Sequence, residues 1–468
     1  MALKIYNTLG RKKETFKPIK KDQVSFYHCG PTVYWVQHLG NLRAMLCADL
    51  VVRTLKYLDY KVKFVRNYTD VGHLTSDQDQ GEDKIEKSAR QEKLSPKQIT
   101  EKYTKIFEQD TKDLNLLEPD IKPKATQCID AMIEMIQTLI DKKYAYVTDL
   151  AVYFDISKVK DYTQLSGQKL EEQLKGAGKG EVTDIQKKNP ADFALWFFKT
   201  GKHENALQYW PSPFESSLVE DGQGFPGWHI ECSVMANKYL GKTIDIHMGG
   251  VEHISVHHTN EIAQSEAANG VKFANYWIHN EHLLIDNKKM SKSKGTGYIL
   301  DQVKKKNFNP LALRYLFLQA HYRSKQNFTW QSMESAKIGF NHLTSQVKAL
   351  GTKQGKIDKE YQKKFSEKIS NDFNLPQALV IVQDLLKSDL SNQDKLATIL
   401  DFDKVLGLDL GEIKETLVPD KIKELVQKRE RARENNDWLE ADRLRGQIEE
   451  QGYQIEDTET GPKISSGY

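Results

Sequence analysis

The sequence contains only four cysteines in 468 residues, at positions 29, 47, 128 and 232. So few thiols over this length exclude a small disulfide-stapled scaffold, and they predict free thiols or metal ligands in a reducing compartment. The chain also lacks an apolar run near the roughly 20 residues that a membrane helix needs. Its opening stretch MALKIYNTLGRKKETF has no apolar signal-peptide core. We therefore expect a cytoplasmic protein with no membrane anchor.

An excess of charge of one sign is missing as well. Lys and Arg number 68 and Asp and Glu number 65, which leaves a net charge of +3. This balance identifies no nucleic-acid partner, so charge has to be considered segment by segment. Internal repeats and low-complexity tracts are also absent from the sequence, which argues against a solenoid. At 468 residues with 39% apolar content, the chain is expected to form three or more domains.

What the sequence does contain is an alternation of strand and helix patterns. QVSFYHCG (23–30) and KVKFVRNYTDVG (61–72) have strand composition, and the segment between them has helical apolar spacing. Strand, helix and strand form a βαβ unit, which predicts a parallel sheet with ligands at the carboxyl ends of its strands. The pattern resumes at ADFALWFF (191–198), TIDIHMGG (243–250) and YWIHNEHLLID (276–286). We therefore predict a doubly wound α/β domain with an insertion, to which AYVTDLAVYFDIS (145–157) contributes antiparallel strands.

The residues after 310 have a helical pattern to the end of the chain, with a predicted helical hairpin that is broken at ENND. Within it, KIKELVQKRERAR (421–433) carries six Lys or Arg and two Glu, a net charge of +4. Basic helices of this kind commonly contact phosphates of nucleic acid. A solvated amphipathic helix has the same composition, so charge alone leaves both interpretations open.

Two short motifs indicate an anion site. His38-Leu39-Gly40-Asn41 stands between the first strand and its helix, where backbone N–H groups and the helix dipole favour a phosphate. NKKMSKSKGTG (287–297) follows a late strand and forms a lysine-rich loop suited to a triphosphate. Alone, the first motif is equally typical of an ordinary βα turn, and the second of a solvated surface loop.

Together, the HIGH-like tetrapeptide and KMSKS resemble the class I aminoacyl-tRNA synthetases, although Asn41 replaces the final histidine. Within that class, the chain resembles the cysteinyl-tRNA synthetase family from Leu3 to about Gly461. The stretches that carry this resemblance are LKIYNTLGRKKETF, YHCGPTVY, GWHIECS (227–233), HHTNEIAQSE (257–266) and DFNLPQAL (372–379). The resemblance implies an α/β fold, with a class I Rossmann-type parallel-sheet catalytic domain that contains an insertion. An all-helical C-terminal anticodon-binding region is expected to follow it.

The domain boundaries that follow from this resemblance divide the chain into six parts. They are a first catalytic half (1–119), a connective insertion (120–190), a second catalytic half with the KMSKS loop (191–300), a linking helical region that contacts the tRNA stem (301–350), a helical-bundle anticodon-binding domain (351–415) and a small C-terminal tRNA-binding domain (416–468). The insertion is short, so we expect no editing domain.

The resemblance implies one zinc ion per chain in the amino-acid pocket, with the ligands Cys29, Cys232, His257 and Glu261. His257 and Glu261 are four residues apart, which places them on one face of a predicted helix. We expect the two cysteines to come from the ends of two strands. Two thiolates, an imidazole and a carboxylate suit zinc. The other two cysteines are expected to be buried and inert. His258 is expected to support a ligand from behind or to be structural, rather than to be a ligand itself.

The remaining site residues come from the same resemblance. For the cysteine pocket they are Thr32, Thr69 and Trp228, although Trp228 is equally typical of a core tryptophan. For ATP they are His38, Gly40, Asn41, Gly249, Gly250, Glu252, Lys289, Met290, Ser291, Lys292 and Ser293. Of these, the catalytic group is expected to be His38, Asn41, Lys289 and Lys292.

The chain departs from the family pattern at several points. The usual glycine triplet is Met248-Gly249-Gly250, the usual Asp two residues past it is Glu252, and HHEN has become HHTN. The segment 72–87 is stretched, and an extra loop occupies 215–225. These departures put the nucleoside contacts in question while they leave the zinc ligands and the KMSKS lysines intact.

The expected activity is ATP-dependent ligation of L-cysteine to tRNA(Cys) through cysteinyl-adenylate, with Mg·ATP as substrate and zinc selecting cysteine over serine. We expect a monomer with cysteine, ATP and tRNA(Cys) as its partners. One alternative is a ligase with the same core that joins cysteine to an amino sugar, and such proteins lack the anticodon-binding end. Another is a catalytically silent relative that only binds RNA.

Overall fold

The structure is a computed structural model, and it describes residues 2–72, 74–76, 80–168, 184–289, 297–411, 419–451, 453–458 and 461–466. Its strands are β1 (Lys4–Asn7), β2 (Lys12–Thr15), β3 (Gln23–His28), β4 (Lys61–Arg66), β5 (Leu74–Ser76), β6 (Gln80–Asp83), β7 (Ala145–Val147), β8 (Ala151–Phe154), β9 (Phe193–Phe198), β10 (Gly224–Pro226), β11 (Ile244–Gly250), β12 (Ala274–Asn280), β13 (Leu283–Ile285), β14 (Lys288–Lys289), β15 (Gln326–Phe328), β16 (Tyr453–Thr458) and β17 (Gly461–Ser466). Its α-helices are α1 (Leu39–Tyr57), α2 (Lys84–Glu92), α3 (Pro96–Asp113), α4 (Ile129–Asp141), α5 (Trp228–Leu240), α6 (His257–Asn269), α7 (Leu300–Lys305), α8 (Pro310–Leu318), α9 (Trp330–Ala349), α10 (Lys359–Ile369), α11 (Leu375–Lys387), α12 (Asn392–Leu406), α13 (Asp420–Glu434) and α14 (Trp438–Glu450).

The centre of the catalytic region is a four-stranded parallel sheet in the order β12-β11-β3-β4. The second halves of β3 and β4 and all of β11 are buried, so this part of the sheet is covered on both faces. Phe26 and Phe64 lie on the α1 side of the sheet, and Tyr27 and Val65 lie on the opposite side with α5 and α6. The sheet therefore separates two apolar cores, and its carboxyl edge opens between α1 and the pair α5–α6. The predicted parallel α/β fold is confirmed.

A second four-stranded sheet has the order β10-β9-β8-β7, and its strands β7 and β8 lie in the predicted insertion. The predicted antiparallel hairpin at 145–157 is present as β7 and β8. ADFALWFF, which we expected to resume the parallel sheet, instead forms β9 and pairs antiparallel with β8 and β10. Every residue of β9 is buried, and a fully buried strand has the same apolar run in either kind of sheet.

The helical half packs against the catalytic region through buried polar residues. Arg314 in α8 donates to the Asp49 carboxylate of α1 at 2.6 Å and to the Leu406 carbonyl of α12 at 2.6 Å. Asp372, which precedes α11, accepts hydrogen bonds from the backbone N–H of Tyr6 in β1 and from Arg323. These bonds connect the start of the chain, the long helix α1 and the C-terminal helices.

The chain ends in the predicted helical hairpin, α13 and α14, followed by the β16–β17 hairpin. The expectation of helix to the end of the chain is therefore wrong for these last strands. Arg429 and Arg433 of α13 both donate to Asp457 in β16. Two of the six cations in the basic stretch 421–433 are thus paired with a carboxylate of the strand hairpin. The positive charge that this helix can offer to RNA is therefore smaller than the sequence indicated. Among the described helices, none combines the length and the apolar character that crossing a membrane requires.

Candidate functional site: a metal-ligand group in a nucleotide-sized cavity

The start of α1 forms one wall of the site. His38 is the N-cap residue of this helix, and its Nδ1 accepts a hydrogen bond from the Asn41 backbone N–H at 3.1 Å. The backbone N–H of Leu39 donates to the Tyr298 carbonyl at 2.8 Å, which ties the start of α1 to the chain just after the KMSKS loop. The positive end of the helix dipole therefore lies at the carboxyl edge of the sheet.

A cavity of 760 Å³ opens at this edge, between α1 on one side and α5 and α6 on the other. The predicted site residues that line it are Cys29, Thr32, His38, Gly40, Asn41, Thr69, Trp228, Cys232, Gly249, Gly250, Glu252 and His257. Residues that are up to 228 positions apart in the sequence thus meet in one cavity, whose volume lies in the range typical of ligand sites.

The four predicted zinc ligands come together at one end of the cavity. Their ligand atoms all lie within 4.8 Å of one another, and all four residues are buried. The two sulfurs, of Cys29 and Cys232, are 3.9 Å apart, and His257 Nε2 is 3.0 Å from Glu261 Oε1. Two thiolates on a tetrahedral zinc would be about 3.8 Å apart at Zn–S bonds near 2.3 Å. The donor set and its spacing therefore fit zinc.

One ligand reaches this group by a different route from the one expected. Cys232 lies in the second turn of α5, which starts at Trp228 after the N-cap Gly227, and not at a strand end. The first turns of α5 are buried nearly all round, so the sequence shows no amphipathic period there. His257 and Glu261 lie one turn apart on α6, as predicted.

The surroundings of the ligands fix their orientation. Nδ1 of His257 is 2.9 Å from Nδ1 of His229, and burial lowers the pKa of His229 to about 3. A neutral His229 can accept the Nδ1 proton of His257, which leaves Nε2 of His257 available for a metal. Trp228 stacks on His257 with ring centroids 4.1 Å apart, so this tryptophan is both a cavity wall and a support for the ligand.

A second group of possible ligands, which sequence reasoning missed, overlaps the first. It consists of Cys29, His247, His258 and Glu261, with ligand atoms again within 4.8 Å of one another. His258 Nε2 is 3.3 Å from the Cys29 sulfur, and its Nδ1 is hydrogen-bonded to His279. Cys232 and His257 line the cavity, whereas His247 and His258 lie behind it. A metal that binds substrate needs an open position, which favours the predicted group.

Burial raises the pKa of the Cys29 thiol well above its ordinary value, and burial also raises the pKa of Cys232. Each thiol is a worse metal ligand in its protonated form, so metal binding at this site has to release protons. The other two cysteines are buried away from the group, as predicted, in α1 and just before α4.

The other end of the cavity is built from backbone. Gly249 and Gly250 end β11, and a Cβ at Gly249 would stand 2.6 Å from His253 Nδ1. Met248, which replaces the first glycine of the usual triplet, is fully buried in the core on the α1 side of the sheet. This departure therefore fills the core and leaves the two cavity-lining glycines in place. Glu252 is half-exposed at the rim, 3.6 Å from Nδ1 of His282.

The two predicted threonines line the cavity and pair through an isolated β-bridge between Thr32 and Thr69. The Thr69 hydroxyl donates to Glu231 at 2.7 Å, so its orientation is set from within the protein. Lys289 is the last residue of β14, in a hairpin with β13, and Leu283 of β13 lines the cavity. Met290, Ser291, Lys292 and Ser293 lie outside the described residues.

Comparison with known proteins agrees with this geometry. A family model described as the class I (C) tRNA synthetase catalytic domain matches residues 15–338, and one described as the cysteinyl-tRNA ligase anticodon binding domain matches residues 416–462. A solved structure of Mycobacterium tuberculosis methionyl-tRNA synthetase bound to methionyl-adenylate has a TM-score of 0.57 with 12% identity, and covers 85% of this chain and 93% of its own. The fold and the catalytic match define a class I aminoacyl-tRNA synthetase.

Curated relatives narrow this class. Cysteine–tRNA ligase 1 of Burkholderia lata is 43% identical over 468 residues, which covers 99% of this chain and 97% of the relative. Cysteine–tRNA ligase of Treponema denticola is 41% identical over 492 residues and covers 98% of each chain. The chain belongs to the cysteine–tRNA ligase family, and it is an enzyme that acts on tRNA, an amino acid and ATP. The match at 416–462 weighs against the alternative of an amino-sugar ligase, which would lack that end.

Proposed function

We propose that this enzyme ligates L-cysteine to tRNA(Cys) through cysteinyl-adenylate, and that one zinc ion held by Cys29, Cys232, His257 and Glu261 selects cysteine over serine. The observation that carries the proposal is the convergence of these four ligand atoms, within 4.8 Å of one another, beside a cavity that Cys29, Cys232 and His257 line. Cysteine and serine differ by one atom, and a plain pocket separates such near-isosteres by only about 1–3 kcal/mol. A soft metal that binds the substrate thiolate directly discriminates much better against a hydroxyl.

The nucleotide lies at the α1 end of the cavity. His38 and the backbone at the start of α1 contact the phosphates, Gly249 and Gly250 let the adenosine approach the backbone, and Glu252 binds the ribose. Lys289 and Lys292 of the KMSKS loop neutralise the charge that develops on the phosphates of Mg·ATP. In the first step the cysteine carboxylate attacks the α-phosphate and pyrophosphate leaves. In the second, a ribose hydroxyl of the terminal adenosine of the tRNA attacks the cysteinyl carbonyl and AMP leaves.

Neither step uses a protein nucleophile, so catalysis comes from positioning and charge stabilisation. Zinc, when bound, holds the substrate thiol as a thiolate and lowers its pKa. Thr32, Thr69 and Trp228 surround the rest of the amino acid. The helical end, for which we retain the proposed domains 351–415 and 416–468, binds the tRNA, and the enzyme acts as a monomer. Intact metal ligands and an intact cavity support an active enzyme over a silent RNA-binding relative.

The test is a Cys232→Ser variant with Cys128→Ser as its matched control, because both cysteines are buried and only Cys232 faces the cavity. We expect the wild type and the control to bind one zinc per chain and to charge tRNA with cysteine in the presence of excess serine. Cys232→Ser should lose zinc, measured by elemental analysis, and cysteine affinity together. Full zinc occupancy with normal cysteine affinity in Cys232→Ser would refute the metal assignment, and failure of the wild type to charge tRNA with cysteine would refute the reaction.

A further inference from the structure

His28, which no part of the proposed mechanism uses, is one of the residues that line the cavity. It is the last residue of β3, and it is paired in register with Arg66 of β4 on one side and with Met248 of β11 on the other. Register neighbours in parallel strands point to the same face, and here that face is the α1 side of the sheet. Cys29 follows His28 and points to the opposite side, toward α5 and α6. Successive residues of one strand therefore face the two halves of the cavity.

The imidazole of His28 is a buried polar group without a visible purpose in the fold. The residue is only 1% exposed, and within the part of the chain that the structure describes neither ring nitrogen has a hydrogen-bond partner. Buried side-chain nitrogens are paired in the large majority of cases, because an unpaired one costs about 1–3 kcal/mol. His28 is one of the residues that line the cavity, as are Asn41, Ala44 and Met45 of α1. A ligand in the cavity can supply the missing partner.

Arg66 makes the same place electropositive. It is 2% exposed, and its Nε and Nη2 have no hydrogen-bond partner among the described residues. Burial lowers the pKa of Arg66 to about 10, so the guanidinium is still charged at neutral pH. The charged form of Arg66 is stabilised by Tyr68 and by the Asp49 carboxylate, and Asp49 is itself bound to Arg53 and Arg314. A positive charge with so little local compensation favours an anion on the cavity side of His28.

We propose that His28 hydrogen-bonds a phosphate oxygen of the nucleotide in this cavity and that Arg66, behind it, is a positioning residue that makes this place attractive to the anion. The inference rests on the proposed binding of ATP at the α1 end. The reaction has two oxyanions, the phosphates of ATP and the cysteine carboxylate. Phosphate is favoured because His28 lies on the α1 side of the sheet, and the start of α1 is the expected phosphate site. The metal-ligand group, which fixes the amino acid, lies on the opposite side of the sheet.

The test measures binding of ATP, of adenosine, which lacks phosphate, and of L-cysteine to the full chain by titration calorimetry. Loss of one hydrogen bond to a charged group predicts that His28→Ala weakens ATP about 10- to 100-fold and adenosine less than about threefold. His28→Gln keeps an N–H donor and should recover part of the loss. The matched control is His203→Ala, because His203 packs on aromatic rings of the insertion sheet. Zinc content should remain one per chain in every variant.

Each other outcome is decisive. Equal weakening of ATP and adenosine by His28→Ala would mean a packing defect and would overturn the phosphate contact. Weakened cysteine binding with unchanged ATP binding would move the contact to the carboxylate, and unchanged binding of all three ligands would remove His28 from the site. These results are separable from the proposed function, because ATP binding by the wild type is measured whether or not cysteine is charged onto tRNA. If the wild type does not bind ATP, both proposals are overturned.

Discussion

At the scale of single residues, Glu261 shows how the site is held together. Its Oε1 faces the other ligands, 3.0 Å from His257 Nε2, and its Oε2 accepts a hydrogen bond from His247 Nε2 at 2.7 Å. His247 is itself fully buried and stacks on Trp277 with ring centroids 4.5 Å apart. A carboxylate that is fixed by an outer partner loses less rotational freedom when it binds a metal. His247 would therefore act on the proposed metal through Glu261.

We expect His247→Asn to weaken zinc binding about 10- to 100-fold, because such outer partners typically contribute that much to metal affinity. The measurement is competition with a chromophoric chelator, with His203→Ala as the control for loss of a histidine elsewhere. Zinc affinity equal to that of the wild type would show that Glu261 keeps its orientation unaided. Stronger loss than for Cys232→Ser would instead make His247 a direct ligand, as the overlapping group allows.

The ligand set could be predicted only from family resemblance. Cys29 and Cys232 are 203 residues apart, and such ligands have none of the short spacing by which metal fingers are detected. The roles of His229 and His247 could not be predicted at all, because they depend on how α5, α6 and β11 pack against one another. His229 did have one signal, since it lies within the same GWHIECS stretch as the ligand Cys232.

At the scale of elements, the start of α1 combines two tasks in one residue. The side chain of His38 caps the helix, and the same residue lines the cavity. A cap contributes about 0.5–2 kcal/mol to helix stability, and asparagine is a better cap than alanine. The capping role of His38 and its proposed phosphate-binding role can therefore be separated by choice of substitution.

His38→Asn should keep the thermal midpoint close to that of the wild type and lower the rate of ATP–pyrophosphate exchange about 100-fold or more, because a positioned donor to the phosphates is lost. His38→Ala should lower both. Ser95→Ala, which removes the capping box of α3, is the control that lowers stability without lowering exchange. If His38→Asn exchanged pyrophosphate at the wild-type rate, His38 would be a cap and nothing more.

At the scale of elements, helix or strand could be predicted from the sequence where one face of the element is exposed. The amphipathic hairpin α13–α14 and the antiparallel strand β7 were predicted correctly. Elements buried on all sides were the difficult ones, because periodicity disappears when there is no solvent face. This explains why the Cys232 segment proved to be helical and why β9 joins a different sheet from the one expected.

At the scale of the whole molecule, Asp372 joins parts that are far apart in the sequence. Its Oδ1 accepts hydrogen bonds from the Tyr6 backbone N–H at 2.9 Å and from the Tyr322 hydroxyl at 2.7 Å, and its Oδ2 accepts one from Arg323 Nε at 2.9 Å. The carboxylate is fully buried. It therefore holds the C-terminal helices against the edge of the catalytic region, where β1 lies beside β12.

We expect Asp372→Asn to lower the free energy of unfolding by about 1–3 kcal/mol, because the buried Tyr322 hydroxyl and the partly buried Arg323 guanidinium lose a charged acceptor. The rate of tRNA charging should fall more than the rate of ATP–pyrophosphate exchange. Only charging requires the catalytic region and the C-terminal helices to be held in a fixed relative position. Urea denaturation and the two assays test this, with the exposed Asp389→Asn as control. An equal fall in both rates would show that the junction supports the catalytic region alone.

The burial of every cysteine has a practical consequence for following the enzyme at work. Because all four native thiols are buried, they should react slowly with maleimide dyes while the protein is folded. A cysteine introduced at an exposed position of the helical half, such as Lys353→Cys, would then be the one fast-reacting thiol. A fluorophore can thus be attached without removing native cysteines, two of which the proposed chemistry requires, and its emission can report the arrival and departure of RNA in real time.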